Sequence, residues 1–109
     1  MSMTYEECVK ACLECLKECN ICLDACLKED DVKMMVDCIR LDRICADICS
    51  LAAQAMLSNS PSLAEICELC ANICEKCGAE CQKHSHHDHC KKCAEACFKC
   101  AEACRQMAS

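Results

Sequence analysis

The chain has 109 residues, nineteen of them cysteine, with one Gly, one Pro, one Phe, one Tyr, no Trp and a net charge of −6. So few aromatic and turn-forming residues exclude a sheet-based fold, and the many Ala, Leu, Glu and Lys residues favour helix. No basic patch is present to meet nucleic acid, no apolar run reaches the length of a membrane span, and MSMTYEEC has no secretory pattern, so a cytoplasmic protein with no nucleic-acid or membrane partner is expected.

The first helix is expected over about 5–28, with Thr4 as its cap and Glu7 completing a capping box. Its cysteines fall at Cys8, Cys12, Cys15, Cys19, Cys22 and Cys26, gaps of 4, 3, 4, 3 and 4. This is the spacing of a helical seam that faces a partner, with thiols where Leu or Ile would ordinarily stand. Leu13, Ile21 and Leu27 form a second apolar face, expected as lateral core against neighbouring helices, with a subunit interface as the alternative.

Glu29-Asp30-Asp31 makes the first turn, and Asp30 or Asp31 is the expected cap of a second helix over 32–57. This helix carries only Cys38, Cys45 and Cys49, its seam continued by Met34 or Met35 at one end and Met56 at the other. Strict heptad counting puts Asp42 on the seam. A small rotation that places Leu41 there is the expectation; the alternative is an Asp42 buried with a partner such as Arg.

Ser58 to Ser62 is the second break, with Ser60 capping and Pro61 opening the helix, or Ser62 and Glu65 as a capping box. The third helix, 61–82, carries Cys67, Cys70, Cys74, Cys77 and Cys81, and a Gly78 expected to serve packing against a neighbour. The third turn, KHSHHDH, holds all four histidines: His84, His86, His87 and His89. Asp88 is the expected cap of a fourth helix, 89–107, with Cys90, Cys93, Cys97, Cys100 and Cys104 flanked by Ala94, Ala96, Ala101 and Ala103.

Four helices with short turns predict an all-α, up-down-up-down antiparallel four-helix bundle, one domain over 1–109, with a cysteine-lined core. The turns after the first and third helices then share an end. That end gathers Cys26, Met34, Met35, Cys38, Cys81, Cys90 and the four histidines. His84, His86, His87, His89, Met34 and Met35 are therefore candidate metal ligands of an entrance port, with a solvated polar turn as the plain alternative and the other end, near Cys8, Met56, Cys67 and Cys104, as the rival entrance.

The cysteine count is odd, the expected compartment is reducing, and thiols three or four residues apart on a helix stand too far apart for disulfides, so metal binding is the better reading. Soft thiolates select Cu(I), Zn(II) or iron–sulfur clusters. Zinc wants isolated tetrahedral sets of four, which continuous ladders do not provide. The ferredoxin cysteine run is absent. Cu(I) takes two or three thiolates, which can bridge neighbouring ions, and each Cu(I) that displaces a proton leaves the charge of the interior unchanged. The expectation is all nineteen cysteines as ligands of multiple Cu(I) ions, about 19–20 per chain against about five for tetrahedral zinc. The function so read is high-capacity Cu(I) storage and detoxification without catalysis. An iron–sulfur electron carrier and a metallothionein-like zinc or cadmium buffer are the alternatives.

The repeated C-x2-C-x3-C seams on Cys8–Cys26, Cys67–Cys81 and Cys90–Cys104, with the sparser Cys38, Cys45 and Cys49, resemble the bacterial copper storage proteins over nearly the whole chain. The lack of an export signal is similar to their cytosolic class. The resemblance implies a four-helix bundle with inward cysteines, many Cu(I) ions and a homotetramer, and a copper chaperone is a candidate delivery partner.

Overall fold

Local chemistry sets the helix ends. The computed structural model describes residues 4–108, and its first helix, α1 (Tyr5–Leu27), opens on the expected capping box. The Glu7 N–H donates to Thr4 Oγ1 at 3.2 Å, and the Thr4 N–H donates to Glu7 Oε2 at 3.4 Å. The second helical segment starts differently from expectation. Val32–Met35 is a turn of 3-10 helix, and α2 (Val36–Leu57) begins only after it. Asp31 caps nothing with its side chain; its carbonyl accepts from the Met34 N–H at 2.8 Å. The tighter turn seats Met35 in the core and leaves Met34 70% exposed.

α2 closes on Asn59, whose φ of 54° lies in the left-handed region. The Ser60 N–H reaches back to the Ala55 carbonyl at 2.9 Å, the six-residue closure expected when an Asn takes that backbone state. Ser60, Pro61 and Ser62 then turn the chain, with Ser60 Oγ accepting from the Ser62 N–H at 3.1 Å. α3 (Leu63–Gln82) starts later than Pro61, and neither expected side-chain cap forms: Ser62 precedes it without a capping bond. α4 (Asp88–Ala108) includes Asp88 rather than being capped by it. The carbonyl of His87 accepts the first helical bonds, from Cys90 and Lys91, both at 3.1 Å.

The helices run up, down, up and down. Thiol contacts fix their directions: Cys12 meets Cys104 while Cys22 meets Cys90, and Cys49 meets Cys70 while Cys38 meets Cys81. α1 packs on α2, α2 on α3, α3 on α4, and α4 back on α1, whereas among the described residues neither diagonal pair packs backbone to backbone. The body measures 44 × 23 × 17 Å and encloses one axial shaft. α3 and α4 approach closely through buried Ala71, Gly78, Ala94 and Ala101. A Cβ on Gly78 would sit 2.9–3.1 Å from the ring of Phe98, so this glycine serves packing.

Leu13, Ile21 and Leu27 do not form lateral core. They are 48–55% exposed, because the narrow seam of each helix already fills the space between neighbours. Ile44 and Leu51 of α2 are comparably exposed.

Candidate metal centre

Each helix turns its seam to the shaft, six cysteines from α1, three from α2 and five each from α3 and α4. All nineteen are free thiols and fully buried. Sulfurs from different walls lie next to one another along the axis. Cys12 stands 3.7 Å from both Cys100 and Cys104, Cys49 lies 3.7 Å from Cys74 and 3.8 Å from Cys100, and Cys45 lies 3.6 Å from Cys74. Cys15 lies 3.8 Å from Cys45 and from Cys97, Cys19 lies 3.7 Å from Cys93, and Cys38 lies 3.4 Å from Cys81. Cys8 and Cys67 lie in the half of the shaft away from the histidine turn.

Sulfurs gather in sets of four whose Sγ atoms all lie within 4.8 Å of one another. One set is Cys12, Cys70, Cys100 and Cys104; the next is Cys15, Cys49, Cys74 and Cys100; then Cys15, Cys19, Cys45 and Cys97; then Cys19, Cys77, Cys93 and Cys97. Metal–sulfur bonds of about 2.3 Å put tetrahedral ligands about 3.8 Å apart and trigonal ones about 4.0 Å apart, so spacing alone fits a soft metal of either geometry. The sharing discriminates. Cys100, Cys15, Cys19 and Cys97 each belong to two sets, so the shaft suits bridging thiolates better than separate sites.

Burial pushes the thiols toward their neutral form, to about 12 at Cys26 and about 11 at Cys67. A metal bound by Cys26 or Cys67 therefore displaces a proton, whereas hydrogen bonds with Cys104 and Cys12 hold Cys8 down at about 4.

Asp42 is fully buried on the seam between Cys38 and Cys45, and Leu41 is only partly buried, which corrects the expected rotation. No Arg accompanies Asp42. Its Oδ1 accepts from the thiols of Cys77 at 3.3 Å, Cys93 at 3.4 Å and Cys81 at 3.7 Å, and its Oδ2 faces Cys38 at 3.9 Å. Thiols on three helices supply the polar partners that an arginine would have supplied. Burial, together with the neighbouring Cys93, Cys77 and Cys38, raises its carboxyl to about 11, so it is a neutral acid at neutral pH.

The histidine turn sits over the end of the shaft. His89 Nδ1 lies 3.4 Å from Cys22 Sγ and 3.5 Å from Cys90 Sγ, and these three with Cys26 form a further four-ligand set. His87 stacks on His89 with ring centroids 5.3 Å apart, and His86 lies 4.2 Å from His87. His84 Nε2 lies 3.1 Å from Glu80 Oε2. Of the two candidate methionines, Met35 is in the core and Met34 is on the surface. Glu29 and Asp31, beside His87 and His89, were not legible as site residues, because acidic residues in a turn read equally well as helix caps.

A copper storage protein family model matches residues 1–109. The chain belongs to the copper storage protein family. Among solved members of this family, a structure described as Cu(I)-bound BsCsp3 is 57% identical, with a TM-score of 0.92 over 97% of this chain and 100% of that one. The apo copper storage protein 3 of Bacillus subtilis is likewise 57% identical, with a TM-score of 0.91 and the same coverage. The copper storage protein Ccsp of Streptomyces lividans, described as loaded with 10 copper equivalents, is 37% identical with a TM-score of 0.92 over 95% of this chain and 83% of that one. No curated protein matches the chain. The copper storage fold accounts for the four thiol walls, and no helix among the described residues is long and apolar enough to cross a membrane.

Proposed function

We propose that the chain is a cytosolic, high-capacity Cu(I) store whose nineteen cysteines are the ligands and whose copper is cargo rather than a catalytic cofactor. The observation that carries this reading is the continuous shaft of buried thiols in overlapping four-sulfur sets. Bridging lets each sulfur serve two ions, which gives a capacity of about 19–20 Cu(I) per chain. Copper arrives at the histidine end, where His89 meets Cys22 and Cys90 and the rings of His87 and His86 follow it, with His84 and Met35 as further candidate port ligands, and passes inward by ligand exchange. A copper chaperone is a fitting donor. Titrating the reduced protein anaerobically with Cu(I) against a chromophoric competitor tests the capacity. Retention of about 19 equivalents is expected, and saturation near five would overturn the bridged shaft.

The four-sulfur spacing also suits zinc, which makes a zinc buffer the second reading. The same titration separates them, since a zinc buffer would saturate at about five ions per chain. Replacing His84, His86, His87 and His89 together should slow loading and leave capacity unchanged. A marked fall in capacity would make these histidines storage ligands instead of port residues.

The exposed Leu13 and Ile21 of α1 and Ile44 and Leu51 of α2 support assembly as a homotetramer. Light scattering of the full chain should return four chains per particle; a monomer would exclude it.

A further inference from the structure

Outside the thiol shaft, the mouth holds a second cluster of a different chemistry. His87 Nε2 and His89 Nε2 are buried atoms with no hydrogen-bond partner. Each faces a carboxylate: His89 Nε2 lies 3.5 Å from Glu29 Oε1, and His87 Nε2 lies 3.8 Å from Asp31 Oδ2. The other oxygen of Glu29 lies 3.2 Å from His87 Nδ1. Lys28, next to Glu29 in sequence, is engaged with Asp24 at 2.9 Å.

Two buried imidazole nitrogens without partners, set against two carboxylates, call for a cation. We propose that Glu29, Asp31, His87 and His89 form a divalent transition-metal site over the mouth of the shaft, of the Zn(II) class and distinct from the Cu(I) sites within. The ligand set decides the class. Nitrogen and oxygen donors suit a borderline divalent ion, whereas Cu(I) prefers the sulfur below. Two neutral imidazoles and two carboxylates carry two negative charges, which a divalent ion cancels. Bonds of about 2.0–2.1 Å place tetrahedral donors about 3.3–3.4 Å apart, slightly closer than the two pairs stand now, so the ion would draw them in.

His89 belongs to both regions, with Nε2 toward Glu29 and Nδ1 toward Cys22 and Cys90. A divalent ion bound at Nε2 therefore pins the ring whose Nδ1 meets copper entering below, without disturbing copper already held by thiolates in the shaft. The site stands whether or not the core stores copper; its effect on loading rests on that reading.

The test uses Co(II) as the probe, titrated into the Cu(I)-loaded full chain and into the Glu29→Gln/Asp31→Asn variant, both nearly isosteric changes that preserve the turn. The expected result is one Co(II) per chain with visible d–d bands and no thiolate-to-cobalt charge transfer. The variant should bind about 10–100-fold more weakly. Stopped-flow loading of the metal-free protein should be slowed by prior addition of one equivalent of Zn(II) in the wild type and not in the variant. No d–d bands, bands accompanied by sulfur charge transfer, or equal binding by wild type and variant would each overturn the site. Failure of copper storage is read separately, as low Cu(I) retention in the loading step; the difference between the wild-type and variant cobalt spectra then still decides the mouth site on the unloaded chains.

Discussion

Asp42 occupies a position where every neighbouring seam residue is a thiol, and its carboxyl is held neutral by burial. Its folded value is raised from the usual 3.8 to about 11, so the folded state keeps a proton that the unfolded chain gives up. The contribution of this group to stability is complete below the unfolded value. It is lost progressively as pH rises toward the folded one. In the metal-free protein, Asp42→Asn should therefore flatten the fall of stability with pH between about 4 and 9, measured by denaturant midpoints across that range. An unchanged slope would mean that the carboxyl is ionised and solvated. Sequence periodicity could not choose between Asp42 and Leu41. A rotation of one residue on α2 preserves the apolar pattern, and the partners that make a buried carboxyl tolerable come from α3 and α4.

The helices themselves were legible because their seams repeat gaps of three and four without interruption, and because Thr4 and Glu7 form a cap that depends only on residues three apart. Start points that depend on tertiary seating were not legible. The 3-10 turn at Val32–Met35 exists to bury Met35, and Ser60 bonds within its own turn instead of capping α3. Two element-level changes test this account. Thr4→Ala should cost about 1 kcal/mol through loss of the α1 cap, read by thermal or denaturant unfolding. Gly78→Ala gains about 1 kcal/mol of helix propensity but forces the Phe98 ring aside, at about 1–3 kcal/mol for overpacking, so the net effect should be destabilising. In a Phe98→Ala background the same change should become stabilising. If it remains destabilising there, the clash with the ring is not the reason for the glycine.

At the scale of the whole molecule, the forces that shape the helices make no use of a metal–ligand bond. The α1 capping box and the packing of each helix on its neighbours draw on hydrogen bonds and buried surface, so the reduced, metal-free protein should give a strongly helical far-UV spectrum, and a coil spectrum would contradict this. Burial raises Cys26 to about 12 and Cys67 to about 11, so these two thiols are neutral at physiological pH. Loading should release about one proton per Cu(I), measurable in weakly buffered solution by pH-stat. The metal-free protein should also lose stability above about pH 9, where an unfolded thiol ionises and these buried ones do not. The thiol core was readable from the sequence because nineteen cysteines in register leave one geometric solution. The mouth cluster was not, because Glu29 and His89 meet only when the first and third turns are brought to the same end.

Every thiol of the shaft is sealed from solvent. If one monovalent ion replaces one proton at each step, a full particle and an empty one carry the same outward charge and the same outer contour. They should co-migrate on native gels and elute together from an ion exchanger. Any cellular component that distinguishes full from empty must do so at an end of the shaft, because the sides of the cylinder carry no record of what is inside.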